Sequence, residues 1–215
     1  MIAVNMVALS PTTMNSHVNE NFEMPTVIHI VGPSSTGKTT LCRALARNLD
    51  IRSEAHVEEV ARTVMREQLF TRDDVGRLEM QVAIIEAQHK AETAARESGS
   101  HIVVCDRSSV DAVVYAMMTS RTGEELQERW EALVHMEEFR LALQLYRDRR
   151  SIFVLLCPIT EWLVDDGTRS LENQERCWVI FKKTLEQLEI AYHELDEKIR
   201  DIDERVLAIR ALAGL

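Results

Sequence analysis

The chain has 215 residues, of which 46% are hydrophobic and 28% charged, values typical of a globular protein with a full apolar core. Its net charge of −10 and pI near 5.2 argue against a nucleic-acid partner, which would require a basic surface. No apolar run is long enough to cross a membrane. The four cysteines form no C-x-x-C pair, which is typical of reduced thiols in a cytoplasmic protein: Cys42, Cys105, Cys157 and Cys177.

The N-terminal residues 1–24 are predicted to be a mobile extension, because they are polar and show no periodicity. The short apolar beginning of this segment lacks the basic region and the cleavage site of a signal peptide. Residues 25–215 are predicted to form a single domain that starts with a buried strand at residues 27–31.

This strand is followed by Gly32-Pro-Ser-Ser-Thr-Gly-Lys-Thr39, which matches the phosphate-binding P-loop pattern G-x-x-x-x-G-K-T. The two glycines allow the backbone to turn and approach a phosphate, and the following helix N-terminus favours anions. Lys38 is expected to contact the β- and γ-phosphates, and Thr39 to bind Mg²⁺. The motif predicts a site for ATP, or for GTP, formed by Gly32, Ser34, Ser35, Thr36, Gly37, Lys38, Thr39 and Thr40.

A weak second strand at residues 54–59 ends in two glutamates and leads into a helix. Ligands of open α/β sheets bind at the carboxyl ends of the strands, so a carboxylate here is a candidate substrate contact. Since side chains alternate along a strand, one of the two faces the crevice. Glu59 is the expected residue, with Glu58 as the alternative.

The next long helix is predicted to begin at a capping pair, Thr71 and Asp74, and to reach about residue 97. Its apolar positions recur in steps of three and four residues, which indicates one buried helical face: Val75, Leu78, Val82 and Ile85. Gln81 and Gln88 lie on or beside this face, and general burial trends place them on the surface.

The apolar run at residues 101–105 predicts a third strand, and Asp106-Arg107-Ser108 follows it. An acidic residue after a strand in a P-loop domain indicates a metal-binding or catalytic carboxylate. Asp106 could alternatively cap the following helix. Arg107 could contact phosphate through its planar fork or pair with a surface carboxylate.

The remaining chain predicts helices at residues 109–118 and 123–147, a fourth strand at 151–156 and a fifth at 190–195. Between these strands lie a lid near residues 159–176, which carries Arg169, and a helix at 171–188; a last helix follows the fifth strand. The alternation of strands and helices predicts a three-layer α/β fold, a five-stranded parallel sheet with helices on both faces.

Four segments together resemble the NadR-like P-loop NTPase and kinase family, which includes ribosylnicotinamide kinases and AAA-domain ATPases of bacteria and fungi. They are the P-loop, Glu59-Val-Ala-Arg62, Asp106-Arg107-Ser108 and Trp162-Leu-Val-Asp-Asp-Gly-Thr-Arg169, within residues 25–212. The resemblance implies a nucleoside- or nucleotide-kinase-like fold that uses ATP and Mg²⁺. Asp-Arg-Ser is closer to the motif of deoxynucleoside kinases than to the Asp-Thr-Asp-like sequence of NadR-type kinases.

The resemblance also implies roles for individual residues. Glu59, Arg62 and Asp106 would contact the substrate, and Thr39 and Asp106 would hold Mg²⁺. The catalytic residues would be Lys38, Glu59, Asp106, Arg107 and Arg169. Lys38 and the two arginines would neutralise charge, and Glu59 or Asp106 would accept a proton.

Two functions are consistent with these residues. The first is a small-molecule kinase that transfers the γ-phosphoryl group to a hydroxyl of a nucleoside- or ribosylnicotinamide-like acceptor. The alternative is a nucleotide-hydrolysing switch that acts through a protein or phosphoinositide partner, as some relatives do. The switch would show slow hydrolysis and no acceptor.

Overall fold

The computed structural model of the protein describes residues 24–162 and 171–215. Residues 1–23 of the predicted extension and the central part of the predicted lid, with Arg169, therefore lie outside the described residues. The strands are β1 (Thr26–Val31), β2 (His56–Val57), β3 (Ile102–Asp106), β4 (Ser151–Leu156) and β5 (Tyr192–Leu195). The α-helices are α1 (Lys38–Asn48), α2 (Val60–Glu67), α3 (Leu78–Arg96), α4 (Ser109–Met118), α5 (Gly123–Val134), α6 (Glu137–Tyr146), α7 (Leu171–Gln187) and α8 (Ile202–Leu212).

The five strands form one sheet in the order β2-β3-β1-β4-β5, and every neighbouring pair is parallel. The predicted five-stranded parallel sheet is confirmed. β1 occupies the centre, where Val27 pairs with Val103 of β3 on one side and with Ser151 of β4 on the other. The loop that follows β1 is therefore flanked by the carboxyl ends of two neighbouring strands.

Side chains of β1 alternate between two helical layers, as the period of a strand requires. Ile28 and Ile30 join an apolar cluster with residues of α1 and α8. His29 and Val31 point to the opposite face, where α3, α4, α6 and α7 pack. The sheet is thus covered on both faces, which explains why β1 and β4 are almost entirely apolar. Among the described residues, no helix is both long and apolar enough to span a membrane.

The predicted start of the third helix is wrong. The side chains and backbone of Thr71 and Asp74 do form a capping box, but the box caps a short 3-10 helix, Arg72–Gly76. α3 starts only at Leu78, after Arg77 adopts an extended backbone with φ −84° and ψ 130°. The capping signal was therefore correctly identified but assigned to the wrong helix.

The predicted helix at residues 123–147 is also wrong, because it consists of two helices. Met136 is extended, with φ −57° and ψ 141°, and separates α5 from α6. Glu137 and Glu138 occupy the first turn of α6, where the helix dipole favours negative charge. Apolar residues continue across the break, so the hydrophobic pattern does not reveal it.

A polar cluster lies inside the core between the sheet and α3. Gln88, which was expected on the surface, is buried and donates to Glu92 Oε1 at 2.8 Å. Tyr146 donates to the same oxygen at 2.9 Å, and His29 Nδ1 lies 3.8 Å from it. Gln81 is also buried and donates to the Val75 carbonyl at 2.7 Å. Both glutamines are buried with their amide N–H groups donating to acceptors inside the protein.

Burial raises the pKa of Glu92 to about 7, and burial lowers the pKa of His29 to about 3. Between the pKa of an unfolded glutamate and pH 7, the folded protein holds a proton on Glu92 that the unfolded chain has lost. This group therefore makes the protein less stable as pH rises through that range, and the loss persists above pH 7.

We expect Glu92→Gln to abolish this loss, because the amide stays neutral and still accepts from Tyr146. At pH 8 the variant should be more stable than the wild type by about 1–3 kcal/mol, and at pH 4.5 nearly equal to it. Urea unfolding at both pH values measures the difference. Glu86→Gln, an exposed position on the same helix, is the control and should show no such trend. An equal effect of Glu92→Gln at both pH values would contradict this assignment.

Candidate active site

The loop between β1 and α1 depends on two glycines. Gly32 has φ 135°, and a Cβ there would lie 3.0 Å from the carbonyl oxygen of Leu156. Gly37 has φ 83° and caps the N-terminus of α1. Both conformations are strained for residues with a side chain, so the sequence pattern and the backbone agree. Ser35 also has a positive φ, 61°.

Lys38 is the buried cation of this loop, with 4% of its surface exposed. Its ammonium group donates to the Pro33 carbonyl and lies 3.5 Å from the hydroxyl of Thr36. Burial, together with the positive charge of Arg107, lowers the pKa of Lys38 to about 7. Without an anion in the loop, the charged form of Lys38 is therefore poorly stabilised.

Asp106 lies beside the loop at the end of β3. The hydroxyl of Thr39 donates to Asp106 Oδ2 at 2.6 Å, which joins the start of α1 to the end of the neighbouring strand. The second oxygen, Oδ1, is buried and has no hydrogen-bond partner among the described residues. Asp106 does not cap the next helix, because Ser108 is the N-cap of α4.

Arg107 connects the ends of β2 and β3. Its guanidinium lies 2.8 Å from Glu59 Oε1 and 3.1 Å from Asp111 Oδ1. Glu59 also accepts from Arg62, whose side chain is largely exposed. Burial disfavours the charged form of Glu59, but the guanidinium groups of Arg107 and Arg62 lower its pKa below the usual value. Glu59 is therefore ionised at neutral pH.

Of the two candidate glutamates, Glu59 faces the crevice, with 13% of its side chain exposed. Glu58 points outward and pairs with Arg43 on the surface, at 3.6 Å and 72% exposed. Glu59 is the last residue before α2, so its side chain lies at the N-terminus of that helix, beside Arg107.

Several of these residues line one cavity of about 820 Å³, whereas Asp106, with 1% of its surface exposed, is not among the described residues that line it. One wall consists of loop residues, among them Ser34, Ser35, Gly37, Lys38, Thr39 and Thr40. The same cavity is also lined by Glu59, Arg62, Arg107 and Asp111. Gly32 and Thr36 are not among the described residues that line the cavity. Thr36 is buried, and its hydroxyl donates to the Pro33 carbonyl.

Asp111 and Gln174 were not predicted from the sequence. Asp111 completes a capping box with Ser108 and pairs with Arg107. The spacing Ser108-x-x-Asp111 could have revealed it, because it is a helix-capping pattern. Gln174 of α7 donates to the Ser34 hydroxyl at 3.1 Å, and no sequence signal indicated this contact. The start of α7 belongs to the region predicted as a lid, and through Gln174 it contacts the loop between β1 and α1.

The parallel sheet, the glycine-rich loop and the buried lysine define a P-loop protein of the three-layer α/β class. The chain belongs to the AAA domain family, whose model matches residues 27–205. No curated protein sequence is significantly similar to the chain.

Solved structures show the same fold. NadR in complex with NAD and AMP-PNP has a TM-score of 0.68 at 20% identity, covering 89% of this chain and 50% of NadR. NadR in complex with NR has a TM-score of 0.68 at 23% identity, covering 89% and 52%. Deoxyadenosine kinase from M. mycoides with dCMP and a flexible dCDP has a TM-score of 0.56 at 14% identity, covering 88% and 100%. The chain spans about half the length of NadR.

Binding of a polyphosphate should protonate Lys38, because the added negative charge stabilises the ammonium form. At pH 8, binding of ATP·Mg²⁺ should take up close to one proton, and this uptake should vanish near pH 6, where Lys38 is already charged. Calorimetric titration in buffers of different ionisation enthalpy measures the uptake. Lys38→Arg, which stays charged at both pH values, is the control. Uptake that is absent at pH 8, or retained in Lys38→Arg, would contradict the assignment.

Proposed function

We propose that the protein is an ATP-dependent kinase that transfers the γ-phosphoryl group to a hydroxyl of a nucleoside-like acceptor. The observation that carries this proposal is the position of Glu59 and Arg107 in the same cavity as Lys38 and Thr39. A hydrolase needs room for one water molecule at this point. The cavity of about 820 Å³ is large enough for a second substrate.

In the proposed reaction, the acceptor oxygen bonds to the γ-phosphorus while the bond to the β–γ bridging oxygen breaks, and ADP leaves with that oxygen. The proton of the acceptor hydroxyl passes to Glu59, which is ionised. Glu59 is preferred over Asp106 because Glu59 lines the cavity, whereas Asp106 is buried and is not among the described residues that line it. Lys38 and Arg107 neutralise the charge of the transferred group, with Arg169 as a further proposed contributor from outside the described residues.

Asp106 and Thr39 are suited to hold Mg²⁺. The buried and unpartnered Oδ1 of Asp106 offers a hard oxygen ligand, and the Thr39 hydroxyl lies beside the other carboxylate oxygen. When bound to ATP, the ion would neutralise charge on the β- and γ-phosphates.

The part of the cavity lining outside the loop supports a nucleoside-like acceptor. It combines apolar side chains with a few amide groups: Met65, Met80, Ile84, Tyr115, Met118, Gln81 and Gln88. Gln88 Oε1 has no hydrogen-bond partner among the described residues, so it could accept from a polar edge of the acceptor. A nucleobase has apolar faces and polar edges, and such a wall matches both. The fold similarity to NadR bound to NR and to deoxyadenosine kinase agrees with this class of acceptor.

Glu59→Gln should decrease phosphoryl transfer on the order of 100-fold, because the amide cannot take the proton. The assay incubates the protein with ATP·Mg²⁺ and a panel of nucleosides and deoxynucleosides, including ribosylnicotinamide, and detects by mass an acceptor that has gained one phosphate. Glu58→Gln is the matched control, because Glu58 is next to Glu59 in the chain but its own carboxylate faces solvent. It should keep wild-type activity.

The same assay separates the kinase from the alternative, a nucleotide-hydrolysing switch. The kinase predicts a phosphorylated acceptor and little free phosphate. If the wild type yields only ADP and free phosphate with every acceptor of the panel, the kinase proposal is wrong and the switch is supported. If the acceptor is phosphorylated equally by Glu59→Gln, the role of Glu59 is wrong.

Asp106→Asn should weaken ATP binding at least ~10-fold in the presence of Mg²⁺, because it removes the charge proposed to hold the ion. In EDTA the variant and the wild type should bind ATP with the same affinity. Calorimetric titration under both conditions measures this difference. A loss of equal size with and without Mg²⁺ would show that the carboxylate acts without the metal.

A further inference from the structure

Arg205, in the first turn of α8, is a buried cation on the outer side of the P-loop. Only 1% of its surface is exposed. Its Nη1 donates to the backbone carbonyl of Thr36 at 3.3 Å, and the ring of Trp162 lies over its guanidinium, 5.0 Å from Cζ to the ring centroid. Nε and Nη2 are buried and have no hydrogen-bond partner among the described residues.

Burial of the Arg205 guanidinium is energetically unfavourable if its only role is to fill space. A buried guanidinium loses its hydration, and the two donors that find no partner among residues 24–162 and 171–215 add to that cost. Methionine or leucine would fill the same volume beside Val206 and Ile209 at lower cost. The charge and the hydrogen bond of Arg205 therefore require an explanation other than packing.

The bond to Thr36 fixes the orientation of one peptide group in the loop. All described peptide bonds are trans, and in a planar trans peptide the C=O and N–H groups point in opposite directions. Thr36 and Arg205 are not among the described residues that line the cavity, whereas Gly37 is. Holding the Thr36 carbonyl on the outer side thus directs the N–H of Gly37 towards the cavity.

Arg205 and Trp162 also lie close to Gly37. A Cβ on Gly37 would lie 3.1 Å from the Trp162 ring and 3.2 Å from Arg205 Nη1. The two side chains therefore crowd the loop on this side and oppose a rotation of the peptide. Trp162 keeps 36% of its surface exposed, and its ring covers the buried guanidinium of Arg205.

We infer that Arg205 is a positioning residue for phosphate binding, which holds the Thr36 carbonyl outward and thereby keeps the Gly37 amide directed at the phosphates. Trp162 protects this hydrogen bond from water. The inference rests on the proposed role of the loop as a triphosphate site. It assigns a part of the phosphate site to α8, the last helix of the chain.

The test uses two probes, ATP and inorganic tripolyphosphate, each titrated with Mg²⁺ into the 215-residue chain. Arg205→Met, which fills the space without donors, should weaken both probes by the same factor, about 10- to 100-fold, as expected for the loss of a charge-assisted hydrogen bond. Arg205→Lys, which keeps a charged donor, should restore most of the affinity. Arg200→Met is the control, because this exposed arginine pairs with Glu161 beside Trp162. It should bind like the wild type.

The outcomes separate the inference from the proposed function. A wild-type protein that binds neither probe contradicts the proposed function itself. If the wild type binds and Arg205→Met binds tripolyphosphate equally well, the inference is overturned. A loss confined to ATP also overturns it, because Arg205 would then contact the nucleoside part. Should Arg205→Met fail to fold, Trp162→Leu decides: several-fold weaker binding of both probes supports the inference, and unchanged binding overturns it.

Discussion

The parallel pairing of β1 between β3 and β4 is the constraint on which the site depends. In this register Ile30 lies opposite Asp106, so the loop after β1 and the carboxylate after β3 emerge at the same edge of the sheet. Their separation is then short enough for the Thr39 hydroxyl to reach Asp106 at 2.6 Å. A shift of one residue would turn the Asp106 side chain to the other face of the sheet. The proposed metal ligands would then no longer be adjacent.

The charges of the site explain how a protein with a net charge of −10 can offer a site for a polyanion. Arg107 is already balanced by Glu59 and Asp111. Lys38 is bonded to a neutral carbonyl. Lys38 can therefore take up a proton and pair with a polyanion, whereas the charge of Arg107 is already shared with two carboxylates. Local donors, and not the total charge of the molecule, decide what binds there.

The two sides of the P-loop have different tasks. The inner side presents Lys38 and the backbone towards the cavity. On the outer side, Arg205 and Trp162 contact Gly37 and restrict the loop. A binding loop that is held in its bound conformation pays less entropy when the ligand arrives. The cost of burying the Arg205 guanidinium is consistent with such a role, since a fold alone does not need it.

The sequence by itself determined the P-loop, the parallel five-stranded sheet and the strand-end position of Asp106. These follow from local patterns: the glycine spacing of the P-loop motif, and apolar runs that alternate with segments of helical periodicity. The prediction from the sequence misplaced the start of α3, because a capping signal does not indicate which helix it caps. It also missed the break between α5 and α6, because apolar residues continue across that break.

Only the tertiary structure decided which groups face one another. It turned Glu59 inward and Glu58 outward, buried Gln88 against Glu92, and brought Asp111 to Arg107. It also placed Arg205 behind a loop that lies 169 positions earlier in the chain. Such contacts depend on how helices pack on the sheet, and this packing couples residues that share no local pattern. The sequence therefore specified the chemistry of the phosphate loop, whereas the fold specified the surroundings that complete the site.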